Sequence, residues 1–192
     1  MSEGQENTLH VMLEEVMNKV QLEQCIYEYG KDIYTFCTQI TGSRQEAEDL
    51  YQDTFLKAVE LGERIDYNQN PRSYLISVAL RIWKNRKRKF AWRQRIAGTC
   101  ALGEEIETGE MSGEENSVEN TILKQELEIQ VKSAVKNLNP KYRIPVYLYY
   151  TLQLSVEEIA KIMKIPQGTV KSRLYKARTL LKKELEVVLD ET

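Results

Sequence analysis

Apolar residues recur along this chain at three- and four-residue intervals, the spacing that gathers them on one side of an α-helix. Leu9, Leu13, Val16 and Val20, then Ile26, Ile33, Phe36, Cys37 and Ile40, make the first such series, with Gly30 as a candidate break and Thr41-Gly42 as a stop. Ser43 followed by Glu46 has the form of a capping box, which predicts a second helix through Leu50, Phe55, Ala58 and Val59 to Gly62. After a polar loop over Ile65 to Asn70, Asn70-Pro71 places a good N-cap before a proline suited to the first helical position. The helix it starts passes through Tyr74, Leu75, Val78 and Ile82. Residues 1–95 thus read as one amino-terminal helical domain.

Residues 96–120 contain Gly98, Gly103, Gly109 and Gly113 among Glu, Ser and Thr. So little apolar surface cannot offset the entropy of ordering, and the segment reads as an acidic flexible linker. Helical spacing resumes in the second domain, residues 121–192, with Ile122, Leu123, Leu127, Val131, Val135 and Leu138 as an amphipathic stripe. Asn139-Pro140 starts another helix, which Pro145 is expected to kink or restart. Val146 to Thr151 favours strand by composition, but no other segment alternates with period two, so helix is the expectation there too.

Ser155 and Glu158 form a second capping box, ahead of a short helix with Ile159, Ala160 and Met163 on one face. Lys164-Ile165-Pro166 interrupts it, and Val170, Leu174, Ala177, Leu181, Leu185 and Val188 then mark the buried stripe of a longer helix. Short helix, tight turn and longer helix make a helix-turn-helix, with Ala160 small enough to let the two helices approach. The expected fold is all-α, two small helical domains joined by a flexible linker.

Composition narrows the chemistry. The chain has 192 residues, 42% apolar and 29% charged, the balance of a folded helical protein. No apolar run approaches the ~20 residues needed to cross a bilayer, and Met1 to Asn7 is polar and acidic, so a cytoplasmic location without membrane insertion is expected. Cys25, Cys37 and Cys100 are too far apart for a CxxC pair, and His10 is the single histidine. A disulfide scaffold, a zinc finger and histidine-based catalysis are excluded, and neither metal nor cofactor is expected.

The net charge of −2 conceals a segregation. Arg81, Lys84, Arg86, Lys87, Arg88, Lys89, Arg93 and Arg95 are the only charged residues from Arg81 to Arg95. From Ala101 to Asn120 every charged residue is a glutamate, and from Ile159 to Lys183 every one is basic again. Two acid-free basic stretches in an acidic protein point to a polyanion partner. With the apolar stripe of the last helix turned inward, Lys171, Ser172, Tyr175, Lys176 and Lys182 are left on other faces, able to bond base edges and phosphates. An ordinary helical hairpin with solubilising lysines is the alternative.

Leu138 to Arg143, Leu154 to Ala160 and Pro166 to Arg178 together resemble region 4 of the extracytoplasmic-function sigma factors, and Thr41 to Ala58 resembles the polymerase-binding helix of region 2 in the same family. The resemblance implies a sigma region 2 helical bundle and a sigma region 4 helix-turn-helix that dock on core RNA polymerase and read the −10 and −35 promoter elements. It implies that Glu46, Glu48, Asp49, Gln52, Asp53 and Phe55 meet the β′ clamp helices of the polymerase. Asp66, Tyr67, Asn70, Arg72 and Ser73 match the loop that captures a flipped −10 base, with Tyr67 and Tyr74 available for stacking or for the core. Arg81, Asn85, Arg86 and Arg88 fall on the −10 reading helix, Arg81 where many members carry Asn. Trp83 and Trp92 suit aromatic support of backbone contacts, and Trp83 suits burial equally. Thr169, Lys171, Ser172, Arg173, Tyr175, Lys176 and Arg178 would contact the −35 element, Arg173 and Arg178 mainly through phosphates.

The implied function is an alternative sigma factor without an active site, whose partners are core RNA polymerase, promoter DNA and, optionally, an anti-sigma protein. A helix-turn-helix regulator binding duplex DNA as a dimer is the runner-up. An enzyme ranks third, because the adjacent Glu157 and Glu158 point ~100° apart on a helix.

Overall fold

The computed structural model describes residues 23–60, 70–97 and 118–190. The chain divides into two compact units, Met1–Ile106 and Glu107–Thr192. Every regular element among the described residues is helical. The expected series from Leu9 to Val20, the loop residues Asp66 and Tyr67, Cys100 and most of the expected linker lie outside the described residues.

The first unit is built from α1 (residues 23–40), α2 (Arg44–Glu60) and α3 (Pro71–Ala97). Its core is closed by Ile33, Phe36 and Ile40 of α1, Leu50 of α2, and Leu75, Ile76 and Leu80 of α3, all 2% exposed or less. Gly30 does not break α1, which runs through it without interruption. A Cβ at this position would stand 3.0 Å from Tyr51 Oη, so the glycine serves close approach of α1 and α2. Tyr51 is set edge-on between Tyr34 and Phe55, with ring centroids 5.7 and 4.9 Å away. The start of α2 departs slightly from the predicted cap. Glu46 N–H donates to Ser43 Oγ at 3.2 Å, but the Glu46 carboxylate accepts from Gly42 N–H at 3.0 Å, one residue before the N-cap.

Asn70 caps α3, its Oδ1 accepting from Ser73 N–H at 3.0 Å. α3 is 27 residues long, and its first half packs on the core while residues 88–96 are exposed throughout. Val59 of α2, expected in the apolar stripe, is exposed instead. Cys25 and Cys37 are buried free thiols, and burial pushes Cys37 up to about 12 against the opposing Arg86 guanidinium.

The second unit runs α4 (Val118–Asn137), α5 (Pro140–Val146), a π-helical turn (Tyr147–Thr151), α6 (Val156–Met163) and α7 (Gln167–Asp190). Asn139 caps α5 by accepting Lys141 N–H at 3.1 Å. Pro145 neither stops nor restarts the helix there. The chain passes into the π turn, in which Leu152 N–H reaches back five residues to Tyr147 O at 3.1 Å. Among the described side chains the expected stripe of α4 is only partly buried: Val135 and Leu138 join the core, where α4 meets α5 and α7, whereas Leu127 and Val131 are exposed. Ile144, Leu148, Leu152, Ile159, Val170 and Leu174 fill the rest of the core.

The capping box at α6 is complete, with Glu158 N–H on Ser155 Oγ at 3.2 Å and Ser155 N–H on Glu158 Oε2 at 2.9 Å. α6 closes in a Schellman pattern, Ile165 N–H to Ala160 O at 3.1 Å and Lys164 N–H to Lys161 O at 3.3 Å, with Lys164 left-handed at φ 56°. This three-residue turn leads into α7. No helix among the described residues is long and apolar enough to cross a membrane, and none of their His, Cys, Asp and Glu side chains gather in threes as a metal site would require.

Candidate nucleic-acid and partner interfaces

Val170, Leu174 and Ala177 seat α7 on α5 and α6, which decides what the helix shows to solvent. Lys171, Ser172, Tyr175 and Lys176 are exposed, Tyr175 to 70%. Thr169 and Arg173 are half-buried. Ser172 Oγ donates to Thr169 O at 3.0 Å, so its proton is used within the helix while its lone pairs stay open. Arg178 is held from another element: its Nε–H donates to Tyr150 Oη at 2.7 Å. Lys182 pairs with Glu186 at 3.5 Å. Lys171, Arg173, Lys176 and Arg178 have no carboxylate partner among the described residues, so their charge is left for an outside anion.

On α3 the basic residues divide. Arg81, Asn85 and Arg88 are exposed, and Asn85 Oδ1 accepts from Arg88 Nη2 at 3.4 Å. Arg86 instead turns to α2, donating to Asp53 Oδ2 at 2.5 Å and to Asp49 O at 3.4 Å. Arg72 Nε lies 2.7 Å from Asp32 Oδ2, which ties the start of α3 to α1. Asn70 is committed to its cap, and the Ser73 hydroxyl is buried with no hydrogen-bond partner among the described residues. Trp83 is core, its indole N–H likewise unpartnered, whereas Phe90, Trp92 and Ile96 stand exposed among the lysines and arginines.

The acidic surface of α2 carries Glu46 on its cap, Glu48 paired with Arg44 at 2.8 Å, and exposed Asp49, Gln52 and Asp53. Phe55, expected on this surface, is 7% exposed and packs against Tyr51, so its side chain belongs to the core. Its neighbour Leu56 is 62% exposed, and Val59 is exposed beyond it. Asp49, Gln52, Asp53, Leu56 and Val59 follow at three- and four-residue steps, an apolar end to an acidic strip. Sequence periodicity could have found Leu56, because a set containing Asp49, Gln52 and Asp53 continues to position 56 and not 55. An open groove beside this strip is lined by Gly30, Lys31, Tyr34, Glu48, Tyr51 and Gln52.

The two units match two family descriptions in order, Sigma-70 region 2 over residues 25–94 and Sigma-70, region 4 over residues 128–181. The chain is 30% identical over 161 residues to the ECF RNA polymerase sigma factor SigW of Bacillus subtilis, covering 82% of this chain and 84% of the relative. It is 26% identical over 175 residues to the RNA polymerase sigma-H factor of Pseudomonas aeruginosa, covering 91% of each. In fold it is similar to the sigma factor RpoE of Bartonella quintana, solved with the anti-sigma factor NepR, at TM-score 0.70 and 22% identity over 87% of this chain and 98% of that one. CnrH, solved with the cytosolic domain of CnrY, gives TM-score 0.64 at 17% identity over 92% and 94%.

Two sigma-70 modules in one chain define an RNA polymerase specificity subunit. The chain belongs to the extracytoplasmic-function (ECF) sigma factors. An alternative sigma factor, and not a dimeric helix-turn-helix regulator, is therefore its function.

Proposed function

We propose that the chain binds core RNA polymerase through the exposed strip of α2 and reads promoter DNA through α3 and α7, with no active site of its own. The working boundaries are 1–95 for polymerase docking and −10 recognition, 96–120 for a linker, and 121–192 for −35 recognition. On α2 the docking residues are Asp49, Gln52 and Asp53 with Leu56 and Val59, an apolar contact rimmed by acid and suited to basic polymerase clamp helices. Arg81, Asn85 and Arg88 approach the −10 element from α3, with Trp92 further along the same exposed helix. Lys171, Ser172, Tyr175 and Lys176 read −35 base edges, while Arg173 and Arg178 hold phosphates.

The observation that carries this reading is the α7 face of a helix-turn-helix, on which Lys171, Lys176 and Arg178 are exposed and have no carboxylate partner among the described residues. The protein acts where core polymerase acts, in the cytoplasm. An anti-sigma protein is a further partner, of the kind found with RpoE. The test is transcription in vitro with core enzyme on genomic fragments, followed by mapping of start sites. Start sites sharing one pair of elements are expected, and initiation no different from core enzyme alone would defeat the proposal.

A further inference from the structure

Tyr150 lies in the π turn and Arg178 in α7, 28 residues apart in sequence. Tyr150 Oη accepts the Arg178 Nε–H at 2.7 Å, and the guanidinium carbon stands 5.8 Å from the ring centroid. Tyr149 packs edge-on against the Tyr150 ring at 5.0 Å, restricting the phenol further. Yet the pair is not a buried structural contact, since Tyr150 is 52% exposed and Arg178 is exposed.

The donor inventory of this pair is what remains unexplained by packing. A phenol that accepts one hydrogen bond keeps its own proton to donate, and a guanidinium that uses Nε keeps the N–H groups of both Nη atoms. Among the described residues the Tyr150 proton has no acceptor and Arg178 has no carboxylate. One O–H and a guanidinium fork are thus held together around an uncompensated positive charge, a donor set that matches an oxyanion. Arg178 is seven residues from Lys171 and three from Tyr175, on the stripe of α7 assigned above to DNA. π turns inside helical segments recur at functional sites, and this one is what supplies the second element.

We infer that Tyr150 and Arg178 form a two-element clamp for one phosphate of the −35 duplex, Tyr150 being both a ligand and the residue that positions Arg178. The inference rests on the reading of α7 as the DNA-facing helix. Its reach differs from that reading, because it adds a residue from outside the helix-turn-helix.

The full chain is titrated onto a fluorescein-labelled random-sequence duplex of roughly 30 base pairs, from roughly 50 to 200 mM salt, since a phosphate clamp acts on any sequence. Tyr150→Phe is expected to weaken binding about three- to tenfold with an unchanged salt slope, because it removes a hydrogen bond and no charge. Arg178→Ala is expected to weaken binding and flatten the slope by about one counterion. The double variant should lose less than the product of the single losses, with all three melting as the parent does. Parent-like binding by Tyr150→Phe overturns the clamp, and so does a loss that disappears once binding is corrected for the folded fraction. If Arg173→Ala and Arg178→Ala are both silent, the reading of α7 itself fails.

Discussion

Arg86 of α3 and Asp53 of α2 are joined at 2.5 Å, so the basic helix and the acidic strip proposed for different partners share an ion pair. With 40% and 50% of these side chains exposed, the pair contributes little to stability, about 0–1 kcal/mol. It does mean that reversing charge at Asp53 also disturbs α3. Asp49, whose carboxylate has no partner among the described residues, isolates docking. Asp49→Lys is expected to abolish pull-down with core polymerase while melting within ~0.5 kcal/mol of the parent. Normal retention of core by this variant would remove α2 from the docking surface.

Phe55 and Leu56 are neighbours with opposite fates, and alanine at each separates folding from binding. Phe55→Ala should destabilise the first unit by about 3–5 kcal/mol through the cavity it leaves. Leu56→Ala should leave denaturant unfolding unchanged within ~0.5 kcal/mol and weaken core binding. Equal core affinity for Leu56→Ala and the parent would show that the apolar end of the strip is idle.

Gly30 sets α1 against Tyr51. Gly30→Ala gains about 1 kcal/mol of helix propensity but sets its Cβ 3.0 Å from Tyr51 Oη, so the Tyr51 ring, held edge-on by Tyr34 and Phe55, must give way slightly. A net loss of about 1–2 kcal/mol is expected from overpacking. Tyr51→Phe removes the clashing oxygen, so Gly30→Ala should cost less in that background, and a thermal double-mutant cycle measures the difference. Additive losses would mean that the hydroxyl is not the obstacle.

Lys176→Ala should relax discrimination at the −35 element by about 1–3 kcal/mol, because its outward position on α7 suits a base edge. Binding to matched and scrambled −35 duplexes by the holoenzyme reads this directly. Equal losses on both would assign Lys176 to the phosphates.

Cys37 is raised from 9.0 to about 12 by burial, so the folded state holds its proton where the unfolded state releases it. The stability this group contributes is fully present below pH 9.0 and declines as pH rises toward 12. Tyr51 and Tyr147, both raised by burial, act in the same alkaline direction. Thermal melting should therefore fall off above pH ~9, and Cys37→Ala should soften the decline relative to its own neutral-pH value. An unchanged alkaline profile in that variant would exclude Cys37 as a contributor.

Among the described residues the helix starts are legible in the sequence because caps and apolar spacing are local. Ser155 with Glu158 and Asn70 with Pro71 act within four residues, and the structure uses them as the chain suggests. Long-range partners were not legible. Nothing near Arg86 in sequence points to Asp53, and nothing near Arg178 points to Tyr150. Gly30 looked like a break because glycine disfavours helix, whereas the deciding contact comes from Tyr51 on another helix. The open face at Leu127 and Val131 shows the converse limit, since periodicity identifies an apolar side but not what covers it.

The π turn decides which of its own side chains face the core and which face α7. Each α-helical residue advances the chain by ~100°, and the Leu152-to-Tyr147 bond admits one residue more than an α-turn would. That surplus residue sets the angle at which Leu148 faces the core while Tyr150 faces Arg178. Side chains in the turn can be exchanged one at a time, but its length cannot. Deleting any one of residues 147–151 would let the turn close as an ordinary α-turn, so the side chains within it would shift by one place and Tyr150 would no longer be the residue that meets Arg178.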